Sequence, residues 1–205
     1  MVKSILWDFD GVILDSMPIR DYGFRKIFES YPKDLVEQLI EYHQLNGGLS
    51  RFHKIKYFYN ELLNQEIDEA KIAEYASSFS EVMRAELPKP QYLIDESVEF
   101  IKSNHQDYIF HIVSGSEQNE LRYLCQTLGI AQYFKSINGS PIHKNDLVKN
   151  VLATQSFTLD EYLLIGDSIN DYEAAKVNGI KFYGYNNEAL KEQGEYIDSF
   201  DNFYS

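Results

Sequence analysis

Ile5-Leu6-Trp7-Asp8-Phe9-Asp10-Gly11-Val12 is an apolar run that breaks into two acids and a glycine. A continuously apolar run of this length is the pattern of a strand buried on both faces of a parallel sheet. Its two carboxylates stand two residues apart where the strand runs out, so both can point into one crevice. Like charges so close repel, and a bound divalent cation resolves the conflict. Hard oxygen ligands suit magnesium better than zinc, which favours His and Cys. Gly11 lets the backbone turn sharply and offers main-chain amides to a phosphate.

Three further runs, Tyr108 to Val113, Tyr162 to Ile165 and Lys181 to Tyr185, have the same short apolar or aromatic character and end in polar or glycine-containing turns. Helical patterns follow two of them. Glu117 to Leu128 keeps Leu121, Leu124, Cys125 and Leu128 on one face, and Asp171 to Val177 is stopped by Asn178-Gly179. This alternation predicts an α/β fold with a doubly wound, Rossmann-like parallel sheet.

Between the first two strands lie roughly ninety residues with no comparable strand, far more than an ordinary crossover. Ile19 to Ser30, Leu35 to Leu45, Ser50 to Leu63 and Asp68 to Glu86 each repeat apolar residues three or four apart. The expectation is a small α-helical cap inserted after the first strand, over residues 16–87, on a core of residues 1–15 and 88–205. Leu87-Pro88-Lys89-Pro90 reads as the stiff return hinge. Ligands of open α/β sheets bind beyond the carboxyl ends of the strands, where this cap would sit.

Three more signals join the first acidic pair. Val113-Ser114-Gly115-Ser116 places a hydroxyl and turn amides at a strand end, able to hold phosphate oxygens. Ser116, followed by Glu117, reads as a helix cap, which leaves Ser114 and Gly115 for the site. Lys144 supplies a point charge able to neutralise phosphoryl oxygens. In Ile165-Gly166-Asp167-Ser168-Ile169-Asn170-Asp171 a strand delivers one acid at its tip and a second at the helix entry. The helix dipole explains Asp171, so Asp167 is the better metal candidate.

Taken in this order, the four elements resemble the motifs of the haloacid dehalogenase superfamily, over the span from Ile5 to Tyr185. The resemblance implies Asp8 as nucleophile and magnesium ligand, and Asp10 as general acid and base, with its main-chain carbonyl as a second ligand. It implies that Gly11, Ser114, Gly115 and Lys144 hold the phosphoryl group. Asp167 would ligate the metal, and Asp171 would orient Lys144 or metal-bound water. Superfamily members that dehalogenate carbon lack the second aspartate, so Asp10 disfavours that chemistry. The place of the insert resembles the subgroup containing phosphoglycolate phosphatase and beta-phosphoglucomutase.

Gly47-Gly48-Leu49-Ser50-Arg51 is similar to a cap segment of the mutase whose arginine meets a phosphate of the sugar, which makes Arg51 a candidate substrate-binding residue. A helix start capped by Ser50 explains the same residues equally well. Where the mutase carries a histidine just inside the cap, this chain has Arg20, which weakens the mutase reading. The expected activity is therefore a magnesium-dependent phosphatase of a small phosphorylated metabolite, with a sugar phosphate preferred, acting through an aspartyl-phosphate. A phosphomutase and a catalytically silent binding protein are the alternatives. A receiver domain shares the acidic site but carries no such helical insert.

Composition bounds the remaining classes. The 205 residues include 44% hydrophobic and 25% charged, the balance of a globular protein rather than a disordered one. The net charge of −13 works against a nucleic acid polymer or an anionic membrane as partner. A small anionic substrate remains compatible, because local donors or a metal reverse the field inside one cleft. Cys125, the single cysteine, can form no intrachain disulfide and reads as a packing thiol. The five histidines, His43, His53, His105, His111 and His143, show no metal-ligand spacing and read as surface or packing residues. Met1 to Ser4 lead straight into the first strand and no run approaches a membrane span, so a cytoplasmic location is expected.

Overall fold

A computed structural model describes residues 1–203. Tyr204 and Ser205, the end of the expected core segment, lie outside the described residues. The opening run forms β1 (Ser4–Trp7), and its neighbours are β2 (Ile109–Glu117) and β4 (Tyr162–Gly166), both parallel to it. With β3 (Ser136–Ser140), β5 (Lys181–Tyr185) and β6 (Glu195–Ile197) the sheet has the order β3-β2-β1-β4-β5-β6 and every pair is parallel. In register, Ile5 lies between Phe110 and Leu163, and Trp7 between Ile112 and Ile165.

The pleat distributes β1 to two cores. Ile5 and Trp7 pack with Leu121, Leu124 and Cys125 of α6 (Gln118–Thr127) and with Val98 and Ile101 of α5 (Asp95–Asn104). Leu6, between them, packs on the other side with α7 (Lys144–Leu152) and α8 (Ile169–Asn178). Helices therefore cover both faces, which is why the strand is apolar at every position and not at alternate ones. Gly179 ends α8 at φ 70°, in the left-handed conformation that Asn178-Gly179 announces. Cys125 is fully buried as expected, and burial pushes its thiol up to about 12.

Five α-helices stand between β1 and β2: α1 (Met17–Ile27), α2 (Lys33–Leu45), α3 (Arg51–Tyr57) and α4 (Glu69–Glu86), then, after Leu87-Pro88-Lys89-Pro90, α5. A single π-helical turn, Phe58–Leu62, extends α3. Aromatic rings hold the helices together: Phe28 stacks on Phe58 at 4.2 Å between centroids, and Phe24 meets Phe79 at 4.5 Å. Ser50 and Asp68 cap α3 and α4 by accepting from the third residue on.

Two strands differ from the expectation. β3 reads Ser-Ile-Asn-Gly-Ser, which is turn chemistry in sequence, and β6 is only three residues long. Both are edge strands, so neither needs the two-sided apolar run that marks the interior ones. No helix among the described residues is long and apolar enough to cross a membrane.

Trp7 is fully buried against Phe100, Phe110 and Phe200, with centroids 5.5–5.9 Å away. Trp7→Ala is expected to lower the unfolding free energy by about 3–5 kcal/mol, measured as a shift of the urea midpoint at unchanged slope.

Candidate active site

The carboxyl ends of β1 and β4 deliver Asp8 and Asp167 to one edge of the sheet, Ser114 follows Val113 where the register of β2 with β3 breaks, and the first turns of α7 and α8 bring Lys144 and Asp171 to the same edge. The Lys144 ammonium donates to Asp8 Oδ1 at 2.9 Å and to Asp171 Oδ1. The other oxygen of Asp171 accepts from the Ser168 amide at 3.1 Å and the Ser168 hydroxyl at 2.6 Å, so the helix cap also aims the carboxylate. Asp171 is buried as a consequence, and its orientation belongs to the site as much as to the helix.

Asp8, Asp167 and Asp171 each offer an oxygen within 4.8 Å of the others. Burial and the Asp171 charge push Asp8 up to about 7, against the pull of Lys144. Burial and the charges of Asp8 and Asp171 hold Asp167 well above the usual carboxylate range. One ammonium does not offset three crowded carboxylates. The all-oxygen donor set fits a hard dication of the magnesium type, which would let all three stay ionised.

Gly11 explains the tightness of this corner. It sits at φ 76°, and a Cβ there would stand 1.9 Å from Asp167 Oδ2. The loop after β5 braces the same corner: Asn186 donates to the Gly11 carbonyl at 3.0 Å and Asn187 to the Asp167 carbonyl at 2.7 Å. Sequence reading passed over both asparagines, although Asn-Asn directly after a strand is turn chemistry at the functional edge of the sheet.

The Asp10 side chain points away from the acidic cluster, toward the inserted helices. Its oxygens accept from Ser16 at 2.5 Å, from Arg20 Nε at 2.7 Å and from Ser116 at 2.6 Å. Burial would raise the Asp10 carboxyl, but the Arg20 charge and the two hydroxyls outweigh it and hold it below the usual value. Ser116 is thus a site residue and not the helix cap that the sequence suggested. Glu117 takes the capping role, accepting from the Asn119 and Glu120 amides. Ser114 is buried and accepts from the Ser116 amide at 3.1 Å.

A second charged layer backs the first. Glu120 of α6 is fully buried and receives both Arg51 nitrogens, at 2.6 and 2.7 Å, as well as Arg20 at 3.3 Å. Arg51 also donates to Ser80 at 2.6 Å and lies over the Phe79 ring. Arg51 does border the same cavity as Asp10, but its fork is engaged by Glu120 rather than left open. The sequence signal for Glu120 was a charge on the apolar side of a helix, next to Leu121 and Leu124.

Lys54 is also buried, and its ammonium is 2.7 Å from His43 Nδ1 and 3.3 Å from the Gly47 carbonyl. Burial and the Arg20 charge bring Lys54 down to about 7, and burial keeps His43 neutral. His43 is a packing residue in the sense expected, yet it also borders the cavity.

The family model described as haloacid dehalogenase-like hydrolase matches residues 5–185. Phosphoglycolate phosphatase from Vibrio vulnificus strain YJ016 is 26% identical over 90% of this chain and 86% of its own. Among solved structures, CbbY from Rhodobacter sphaeroides in complex with phosphate superposes with a TM-score of 0.77. It is 17% identical, over 98% of this chain and 96% of that one. The HAD-hydrolase YfnB from Bacillus subtilis, bound to magnesium, gives a TM-score of 0.70 at 18% identity, over 98% and 96%. At these identities the two structures speak for the fold.

Glu120→Ala leaves the buried Arg51 guanidinium without a carboxylate, while Arg20 keeps Asp10, and is expected to destabilise the protein by about 3–5 kcal/mol in urea unfolding. Lys54 yields a pH test. Its folded value of about 7 lies below the usual lysine value, so the unfolded chain binds more protons between the two. Wild-type stability measured against Lys54→Met should therefore rise with pH from about 7 upward, by at most about 1.4 kcal/mol per pH unit. A flat difference across that window would contradict the burial of a strained charge.

Proposed function

We propose, on the premise that this chain belongs to the haloacid dehalogenase-like hydrolase family, that it is a phosphatase that hydrolyses a small phosphorylated metabolite at Asp8. The observation that carries the reading is the Lys144 ammonium bonded to both Asp8 and Asp171 beside Asp167, a phosphoryl-sized cluster of one cation and three acids. The phosphoglycolate phosphatase relative supports a small monoester as substrate. A sugar phosphate, suggested by the Arg51 segment, is the other member of that class to assay.

In this reading the Asp8 carboxylate attacks phosphorus in line as the bond to the leaving oxygen breaks, which yields an aspartyl-phosphate. Asp10 gives a proton to the departing alkoxide, then takes one from the water that attacks the acyl phosphate. The Arg20 contact holds Asp10 in its charged form, suited to the second step. The first step requires Asp10 to exchange that contact for a proton. Lys144 and the main-chain amide at Gly115 neutralise the phosphoryl oxygens, with the Ser114 hydroxyl as a further donor; the Gly11 amide donates to the Leu14 carbonyl at 2.8 Å and is not free for the phosphate role expected of it.

Magnesium, when bound, would add charge neutralisation at the same oxygens. Asp8, Asp167 and the main-chain carbonyl of Asp10 would hold it, with Asp171 steering Lys144. Residues 16–87 would act as a cap that closes on a core of residues 1–15 and 88–205 and excludes water.

Phosphate release from p-nitrophenyl phosphate should require magnesium, stop with chelator, and fall at least about a thousandfold in Asp8→Asn. Full turnover by Asp8→Asn would sink the mechanism. Accumulation of an isomeric sugar phosphate in place of free phosphate would turn the reading to a mutase.

A further inference from the structure

A buried polar atom without a hydrogen-bonding partner is uncommon in a folded protein, and each one calls for an explanation. Ser140 Oγ and Asn170 Oδ1 are two such atoms among the described residues, and both side chains border the cleft that contains Lys144. Ser140 ends β3 and is only 1% exposed. Asn170 lies in the first turn of α8, beneath the inserted loop: a Cβ at Gly48 would stand 2.8 Å from its own Cβ.

Glu173 follows Asn170 by three residues on α8, so the two share a helix face. It borders the same cleft and forms no hydrogen bond or ion pair among the described residues. The core wall of the cleft therefore presents a hydroxyl, an amide and a carboxylate that nothing else in the chain engages.

The cations there are already committed. Lys144 is the one lysine or arginine bordering the cleft among the described residues, and its ammonium is held by Asp8 and Asp171. His53 Nε2 is paired with the Tyr42 hydroxyl at 3.0 Å, and His143 Nδ1 accepts from the Asn145 amide at 3.3 Å. The cleft encloses about 270 Å³, room for a leaving group of a few carbons, with Leu49, Pro141 and Ile142 as its apolar lining.

The chemistry of the unengaged groups selects what can fill this space. A serine hydroxyl and an asparagine amide both give and accept hydrogen bonds, whereas a carboxylate only accepts. A hydroxyl on the ligand meets all three. A carboxylate or a second phosphate has no proton to give Asn170 Oδ1 or Glu173, and it adds a like charge beside Glu173.

We infer that Ser140, Asn170 and Glu173 form a subsite that reads the hydroxyl groups of the leaving group, so that β3 and α8 of the core select uncharged, hydroxylated phosphate monoesters. This assignment rests on the phosphatase reading and narrows its substrate class, with acid-bearing esters excluded by Glu173. Discrimination is expected to be sharp, because a ligand without the hydroxyls leaves the buried serine and amide unpaired.

The test uses three esters on one three-carbon skeleton: glycerol 3-phosphate, 3-phosphoglycerate, in which a carboxylate replaces the terminal hydroxymethyl group, and propyl phosphate, which has no hydroxyl. Calorimetric titration of Asp8→Asn with magnesium present, which needs no turnover, should show glycerol 3-phosphate binding at least about tenfold tighter than either of the others. Adding Glu173→Gln should bring the margin over 3-phosphoglycerate to within about threefold, and adding Asn170→Ala should cut the margin over propyl phosphate by about fivefold or more. Glu173 is exposed, so its variant keeps the fold and the test stays decisive even where Asn170→Ala does not fold. Equal binding of the three esters, tighter binding of 3-phosphoglycerate, or a margin over it that Glu173→Gln leaves unchanged would overturn the assignment. Wild-type turnover of p-nitrophenyl phosphate separately tests the phosphatase reading, so its failure and the failure of the hydroxyl subsite are told apart.

Discussion

The Lys144 ammonium is the point on which the site depends. It joins Asp8, 136 positions away in sequence, to Asp171, 27 positions away, in a volume from which water is nearly excluded. Three acids and one lysine can share that volume only if each carboxylate has a donor or a cation opposite it. The helix cap at Ser168 supplies donors to Asp171, and the close approach of Gly11 to Asp167 and the two asparagines after β5, which donate to main-chain carbonyls, hold the shape of the corner. The parallel sheet makes it geometrically possible, since every strand ends at the same edge.

Away from that centre the charges run in a single connected chain. Asp10 meets Arg20, Arg20 meets Glu120, Glu120 meets Arg51, and Arg51 meets Ser80 on α4. Every link except the Asp10 carboxylate is buried, and the chain crosses from the sheet edge through α6 into the inserted helices. Such a network is strong when complete and costly when broken. It couples the position of Asp10 to the seating of the helices above it, and it leaves Lys54 as the cation outside the pairing.

Much of the fold was legible because its interior strands are buried on both faces. Ile5 to Trp7 and Tyr162 to Ile165 must be apolar at every residue, and that pattern needs no tertiary knowledge to recognise. β3 was hidden for the opposite reason: at a sheet edge, Ser-Ile-Asn-Gly-Ser satisfies its backbone through one neighbour and needs no apolar run. Asp8, Asp10, Lys144, Asp167 and Asp171 were readable as candidates because each lies just past a strand or at a helix start, and Ser114 because the apolar run of β2 ends at Val113, where local sequence announces position.

What the sequence determined by itself was the alternation of strands and helices, the place of the helical insert between β1 and β2, and the set of acids and donors at the strand ends. These are encoded in short windows by periodicity and turn chemistry. Only the tertiary structure decided which charges pair. Ser116 serves Asp10 and not its helix, Arg51 is held by Glu120, and Lys54 is buried with no carboxylate of its own. Pairing depends on distances between residues tens of positions apart and on how completely water is removed around them, and no local pattern carries either quantity.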